Sequence, residues 1–166
     1  MPLQPEYLKI LDQATLIKKE NKIFLDKLKK NRPSDLDQIT NNFHDEAFTR
    51  IDCLKCANCC RTTGPLIKNK DITVLAKHFK QKETEFMNKH LRTDEDGDFV
   101  FNNIPCPFLN DDNYCSVYES RPNACREYPH TQQRNFAPKI EITYLNSMIC
   151  PAVAIVVEKL KEHYTR

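Results

Sequence analysis

Hydrophobic positions in the first fifty residues repeat at helical spacing. Leu3, Tyr7, Ile10, Ala14, Ile17, Asn21, Phe24 and Leu28 alternate steps of four and three, the seam of a heptad pattern in which a mid-seam Asn fixes register. One long helix is predicted over residues 3–28, with Pro33 as its stop. Ser34, with Asp37 three residues on, resembles a capping box for a second helix, whose apolar face is Leu36, Ile39, Phe43, Ala47 and Ile51. The two predict an antiparallel helical hairpin.

The pattern then shortens. Residues 53–64 read as a cysteine-bearing loop ending at Gly64-Pro65, and Leu66 to Lys68 as a short strand. Asp71 opens a helix with Ile72, Leu75, Ala76 and Phe79 on one side. Lys82 to Leu91 reads as another, with Phe86, Met87 and Leu91 together. Asp96-Gly97 is a reversal, and Phe99–Phe101 and Tyr114–Tyr118 are strands. Arg121-Pro122 and Pro151 each begin a helix, since Pro suits a first turn; the last runs over 151–164. Asp94, Asp96 and Asp98 lack the Glu that closes a calcium loop, so they read as an acidic turn. The expected fold class is α+β, mainly α. It divides into an N-terminal helical hairpin over residues 1–51 and a small cysteine-cluster domain over 52–166, which carries short strands and the C-terminal helix.

Composition changes this picture at one point. In 166 residues there are 8 Cys, all between Cys53 and Cys150. No apolar run approaches the ~20 residues of a membrane span, and the first residues lack the basic head and apolar stretch of a secretory signal. The expected compartment is the cytoplasm, where thiols stay reduced and serve as ligands rather than disulfides. The net charge of +2 indicates no general polyanion-binding surface, and 2 Gly leave little room for a glycine-rich phosphate loop.

Cys53, Cys56, Cys59 and Cys60 place four thiols in eight residues. A C-x-x-C turn brings two sulfurs within chelating distance, as in zinc knuckles and iron–sulfur loops. Adjacent Cys59 and Cys60 project differently, and so are expected to serve different metals or different atoms of one cluster. Cys106, Cys115, Cys125 and Cys150 supply four distant thiols, making two four-ligand sets. His130 is the nearest nitrogen substitute. Eight thiolates in one pocket require compensating cations, and Arg61, Arg121 and Arg126 stand beside the cysteines to offset the remainder. Spacing leans slightly to iron. No second short knuckle is present, and the Cys106-Pro107 and Cys150-Pro151 steps echo ferredoxin ligands. An iron–sulfur cluster and zinc both stay open.

These residues carry a resemblance. Cys53-x-x-Cys56-x-x-Cys59-Cys60, then Pro105-Cys106-Pro107-Phe108-Leu109, then Cys115 through Pro122 with Cys125-Arg126, then Cys150-Pro151 resemble the CxxCxxCC cysteine-cluster family over roughly residues 53–151. Gly64-Pro65 before a Leu- and Ala-containing helix is similar as well. The resemblance implies zinc or iron chelation and brings flagellin lysine-N-methylase as a relative. Asn58 stands where many members have Gly, and the N-terminal hairpin looks like an addition.

Three functions compete at this level. The first is a metal-chelating protein with a redox, metal-handling or maturation role. The second is a protein-modifying, methyltransferase-like enzyme, for which no nucleotide loop or acid–base pair stands out. The third is a partner-binding module that zinc staples together, its protein partner held by the basic hairpin. Lys18, Lys19, Lys22, Lys27, Lys29, Lys30 and Arg32 motivate that reading. A solvated face is the commoner meaning of such a run, and without interleaved aromatic residues nucleic acid is disfavoured.

Overall fold

A computed structural model describes residues 2–165. In chain order its elements are α1 (Pro5–Leu16), α2 (Lys18–Asn31), α3 (Leu36–Arg50), α4 (Cys53–Cys56), α5 (Asn58–Thr62), α6 (Asn69–His78), α7 (Glu83–His90), β1 (Leu91–Thr93), β2 (Phe99–Phe101), α8 (Asn123–Glu127), α9 (Ile140–Asn146) and α10 (Pro151–Tyr164). The described residues are 61% helical with one two-stranded sheet, the mainly α, α+β class expected. It forms two compact units, a central one of residues 57–128 and a terminal one joining 2–56 to residues from 129 onward. This division differs from a boundary at 51/52, because α10 packs on α3, α1 and α2.

The terminal unit is built around α10. Its first seven residues, Pro151 to Val157, are all buried, and Leu160 is fully so. A helix apolar on every side must be covered on every side, and α1, α3 and α9 do this. Pro151 at the first helical position starts α10 where the sequence places it. The long first helix is in two pieces. Ile17 has φ −98° and ψ 18°, outside the helical range, in a stretch where β-branched Thr15 and Ile17 lower helix propensity. Asn21 is buried as a seam residue and accepts a hydrogen bond from Lys161 Nζ at 3.3 Å, so its polar partner comes from α10. The expected capping box at Ser34 does not form: the cap of α3 is Asp35, without a side-chain bond. Asp37 instead accepts from the Asn135 and Phe136 amides at 2.7 and 2.9 Å. The helix α9 was not foreseen, since its Ile, Thr and Tyr content reads equally as strand.

The central unit has a small core of Ile67, Ile72, Leu75, Phe86, Phe101, Phe108 and Val117. Phe79 stacks on Phe86 and Phe108 with ring centroids 6.0 and 5.3 Å apart, and Phe101 meets Phe108 edge-on at 5.1 Å. β1 and β2 pair antiparallel with Leu91 opposite Phe101. Gly97 supplies the positive φ of their turn, 85°, and Asp94 Oδ1 accepts from the Asp96 and Asp98 amides at 3.1 and 2.9 Å. Three expectations change here. The proposed strand at Tyr114–Tyr118 is only a single bridge between Leu109 and Cys115, followed by a 3-10 turn at Tyr118–Ser120. The strand at Leu66–Lys68 is a single bridge from Ile67 to Phe99. Residues 53–64 are two helical turns, α4 and α5, joined through Ala57 in the left-handed region at φ 47°, rather than an open loop.

Candidate metal centre

The unit boundary falls inside the cysteine run, so the eight cysteines divide between two units. Cys59, Cys60, Cys106, Cys115 and Cys125 belong to the central unit. Cys53, Cys56 and Cys150 belong to the terminal unit. The sequence groups them as four local and four distant thiols; the units divide them differently, five in the central unit and three in the terminal one.

In the central unit four segments bring their sulfurs into mutual electrostatic range. Cys60 sits on α5, and its carbonyl accepts from the Cys106 amide at 2.8 Å, which ties the two strands of chain directly. Cys106 opens a tight turn, its carbonyl accepting from Leu109 N at 3.0 Å, and the Phe108 and Leu109 amides stabilise its thiolate. Ser116 N bonds to Phe108 O at 2.8 Å, folding the Cys115 segment back on that turn. The Val117 amide stabilises the Cys115 thiolate. Cys125 is the third residue of α8, its amide bonded to Pro122 O at 2.9 Å. Cys125 is within the field of Cys60, Cys106 and Cys115, which marks these four as one group.

Burial dominates the ionisation of this group. It pushes Cys106 up to about 11 and Cys125 to about 12, and raises Cys115, with neighbouring cysteines adding to each. Arg121 works the other way on Cys115 and Cys125. Cys60 is the exception, lowered to about 7 by its hydrogen bond with Cys59, 3.9 Å away, and by Arg61, against the effect of burial. Buried thiols with such values are protonated at neutral pH unless a cation replaces the protons. Arg61 also donates to Asn113 Oδ1. Arg121 lies 3.9 Å over the Tyr118 ring and donates to Tyr118 O at 2.6 Å. Arg126 donates to the Arg121 and Glu119 carbonyls. The arginines read from sequence as charge compensation are therefore also ties within the loops that carry the candidate ligands.

In the terminal unit Cys150 caps the start of α10 and is buried, with the Val153 and Ala152 amides favouring its thiolate. Burial nonetheless pushes it up to about 12, and Cys53 and Cys56 add to the rise. Cys56 is buried and Cys53 exposed. Cys53 edges a groove with Tyr7, Arg50 and Lys55, and the Asp52 amide bonds to Tyr7 Oη at 3.1 Å. His130, five residues after Cys125 in sequence, lies in the terminal unit, whereas Cys125 lies in the central one.

Among the described residues, no three His, Cys, Asp or Glu side chains close into a metal-coordinating set. The chemistry of the donors fits the expected group all the same. They are soft, ionisable sulfurs, with backbone amides directed at Cys106, Cys115 and Cys150 and arginines beside Cys60, Cys115 and Cys125, the donor type that zinc and iron–sulfur centres use. The eight cysteines are thiols rather than disulfides, which keeps them available as ligands. Two features of this site escaped the sequence. Asn113 is buried with φ 72°, signalled only by the Asp-Asp-Asn turn before Cys115. Asp71 reaches α8, which no local pattern announces.

A family model, CxxCxxCC, described as "Putative zinc- or iron-chelating domain", matches residues 52–151, more than half of the chain. No curated protein and no solved structure matches it.

Proposed function

The chain belongs to the CxxCxxCC family of zinc- or iron-chelating domains, and we propose that its central unit holds one metal centre through the thiolates of Cys60, Cys106, Cys115 and Cys125. Cys53, Cys56 and Cys150 make up a second candidate set in the terminal unit, and Cys59, beside Cys60 in the central unit, is the eighth candidate ligand. The observation that carries this reading is the mutual electrostatic range of four sulfurs from separated segments, three of which also have amides or Arg121 favouring the thiolate. Bound zinc would staple the loops, whereas an iron–sulfur cluster would also accept and release an electron. The Cys106-Pro107 and Cys150-Pro151 steps favour iron. The protein's own residues would exclude water through the core of Phe86, Phe101, Phe108 and Val117 against which Cys106 and Cys115 pack, and favour the Cys106 and Cys115 thiolates through the Phe108, Leu109 and Val117 amides. The cellular role is metal handling, redox or cofactor maturation in a reducing compartment such as the cytoplasm. No helix among the described residues is long and apolar enough to cross a membrane.

Anaerobic purification with elemental analysis and absorption spectroscopy tests this. Stoichiometric iron with sulfide, or zinc, is expected, and substitution of Cys106 or Cys125 by Ser removes the central equivalent. A folded protein that contains no metal and takes up neither zinc nor cobalt ends the reading.

A second reading has its own observation. On α1 and α2, Leu16 is 80% and Ile23 59% exposed, and Lys19, Lys27 and Lys30 share their solvent-facing side. This is the face for a metal-stapled module that binds an acidic protein partner. Charge reversal at Lys19, Lys27 and Lys30, with metal content unchanged and a captured partner lost, supports it; deleting the helices does not test it, because Tyr7, Leu11 and Phe24 are core residues.

A further inference from the structure

The helix that carries Cys125 is too short to orient it. α8 spans five residues, a single turn that could not hold its shape in isolation. Its cap is Pro122, which has no side-chain acceptor for the exposed amides of the first turn. The acceptor comes from elsewhere in the unit. Asp71 Oδ1 receives the Asn123 amide at 2.9 Å, across 52 residues of sequence. Its Oδ2 receives the Lys68 amide at 2.9 Å. One carboxylate therefore caps both α6 and α8.

Asp71 is itself fixed. It is 8% exposed, and its neighbours Ile72, Leu75 and Ala76 on α6 are at 2% or less. Through the Asn123 amide, the position of α6 in the core is passed to the first residue of α8, two residues before Cys125. Arg126 holds the far side of the turn through the Arg121 and Glu119 carbonyls. We propose that Asp71 is a positioning residue for the central metal centre, setting the direction of the Cys125 sulfur through the Asn123 amide. Resting on the four-thiolate reading above, this adds a determinant that is not itself a ligand. Outer partners that orient a ligand matter to affinity by about 10- to 100-fold.

The test isolates that one hydrogen bond. Asn123→Pro removes the N–H at the first helical position, where Pro is tolerated, and leaves Asp71 capping α6. Asn123→Ala keeps the N–H and serves as the control for the lost side-chain bond to Glu127. Cobalt(II) is the probe, because its thiolate charge-transfer and ligand-field bands count thiolates and report tetrahedral geometry. Asn123→Pro is expected to weaken cobalt binding about 10-fold or more relative to Asn123→Ala and to reduce the charge-transfer intensity per cobalt. Asp71→Asn is expected to do the same, with no additional effect in the Asn123→Pro or Cys125→Ser backgrounds. Equal affinity and equal spectra for Asn123→Pro and Asn123→Ala overturn the proposal. So does an Asp71→Asn effect that persists undiminished after Cys125→Ser, which marks a cap of α6 alone. Wild-type protein that binds no cobalt ends the four-thiolate reading itself, and is distinguished from both by its own titration.

Discussion

The two units hold their shape by different means. The terminal unit surrounds α10, whose Val153, Val156, Val157 and Leu160 are wholly buried, with long helices. Each such side chain contributes on the order of 1.5–3 kcal/mol by leaving water. The central unit has α6 and α7, a sheet of three-residue strands, and no helix or strand between Phe101 and the turn at Tyr118. In that interval lie Cys106 and Cys115, partly buried against the aromatic core. A unit with a modest core and long irregular stretches needs a further constraint, which the proposed cation on Cys60, Cys106, Cys115 and Cys125 would supply. The comparison teaches that the same residue type does unequal work in the two places. On the proposed reading, cysteines of the central unit organise loops, whereas Cys150 sits at the start of a helix with a large buried core.

That contrast breaks most sharply on metal removal. With a strong chelator, hydrogen exchange at the amides of Phe108 to Val117 is expected to accelerate by at least about 10-fold, while the amides of Val153 to Leu160 hold their protection. Equal acceleration in both segments would show that the terminal core also depends on metal. The converse perturbation is Leu160→Ala, expected to cost about 2–5 kcal/mol of terminal-unit stability in denaturant unfolding. Cobalt binding by the four central thiols should change little, and a matching loss of cobalt affinity would mean the units are energetically one.

A smaller effect in the terminal unit is read by pH. In the terminal unit, burial lowers His44 below its ordinary 6.5, partly offset by Asp45, and its Nδ1 sits 2.7 Å from Thr131 Oγ1. The folded chain thus disfavours the charged form. Between the folded value and 6.5 the unfolded chain binds the extra proton, so this contribution is complete above 6.5 and fades as pH falls below it. Protection factors at α3, which correct for the intrinsic slowing of exchange in acid, should therefore fall on acidification in the wild type and respond less in His44→Gln. An unchanged pH response in the variant would assign the sensitivity to another group.

Much was legible in the residues. Pro151 and the apolar run behind it marked α10, Asp71 and its spaced apolar residues marked α6, and Asp96-Gly97 marked the turn between β1 and β2. These are local signals, each decided by backbone chemistry within a few residues. The cysteine pattern likewise identified the family and the class of ligand. Other features rested on partners far along the chain. Residues 53–64 closed into helical turns through a left-handed Ala57, and Tyr114–Tyr118 lost its strand because Ser116 bonds back to Phe108 rather than to a neighbouring strand.

By itself, then, the sequence determined that this protein carries clustered soft donors on a mainly helical chain, since side-chain chemistry and periodicity are properties of neighbours. Only the tertiary structure decided which cysteines fall in which unit, that α10 belongs with the N-terminal helices, and that Asp71 caps a second helix. Hydrogen bonds and burial across 50 or more residues leave no periodic trace in the chain that makes them.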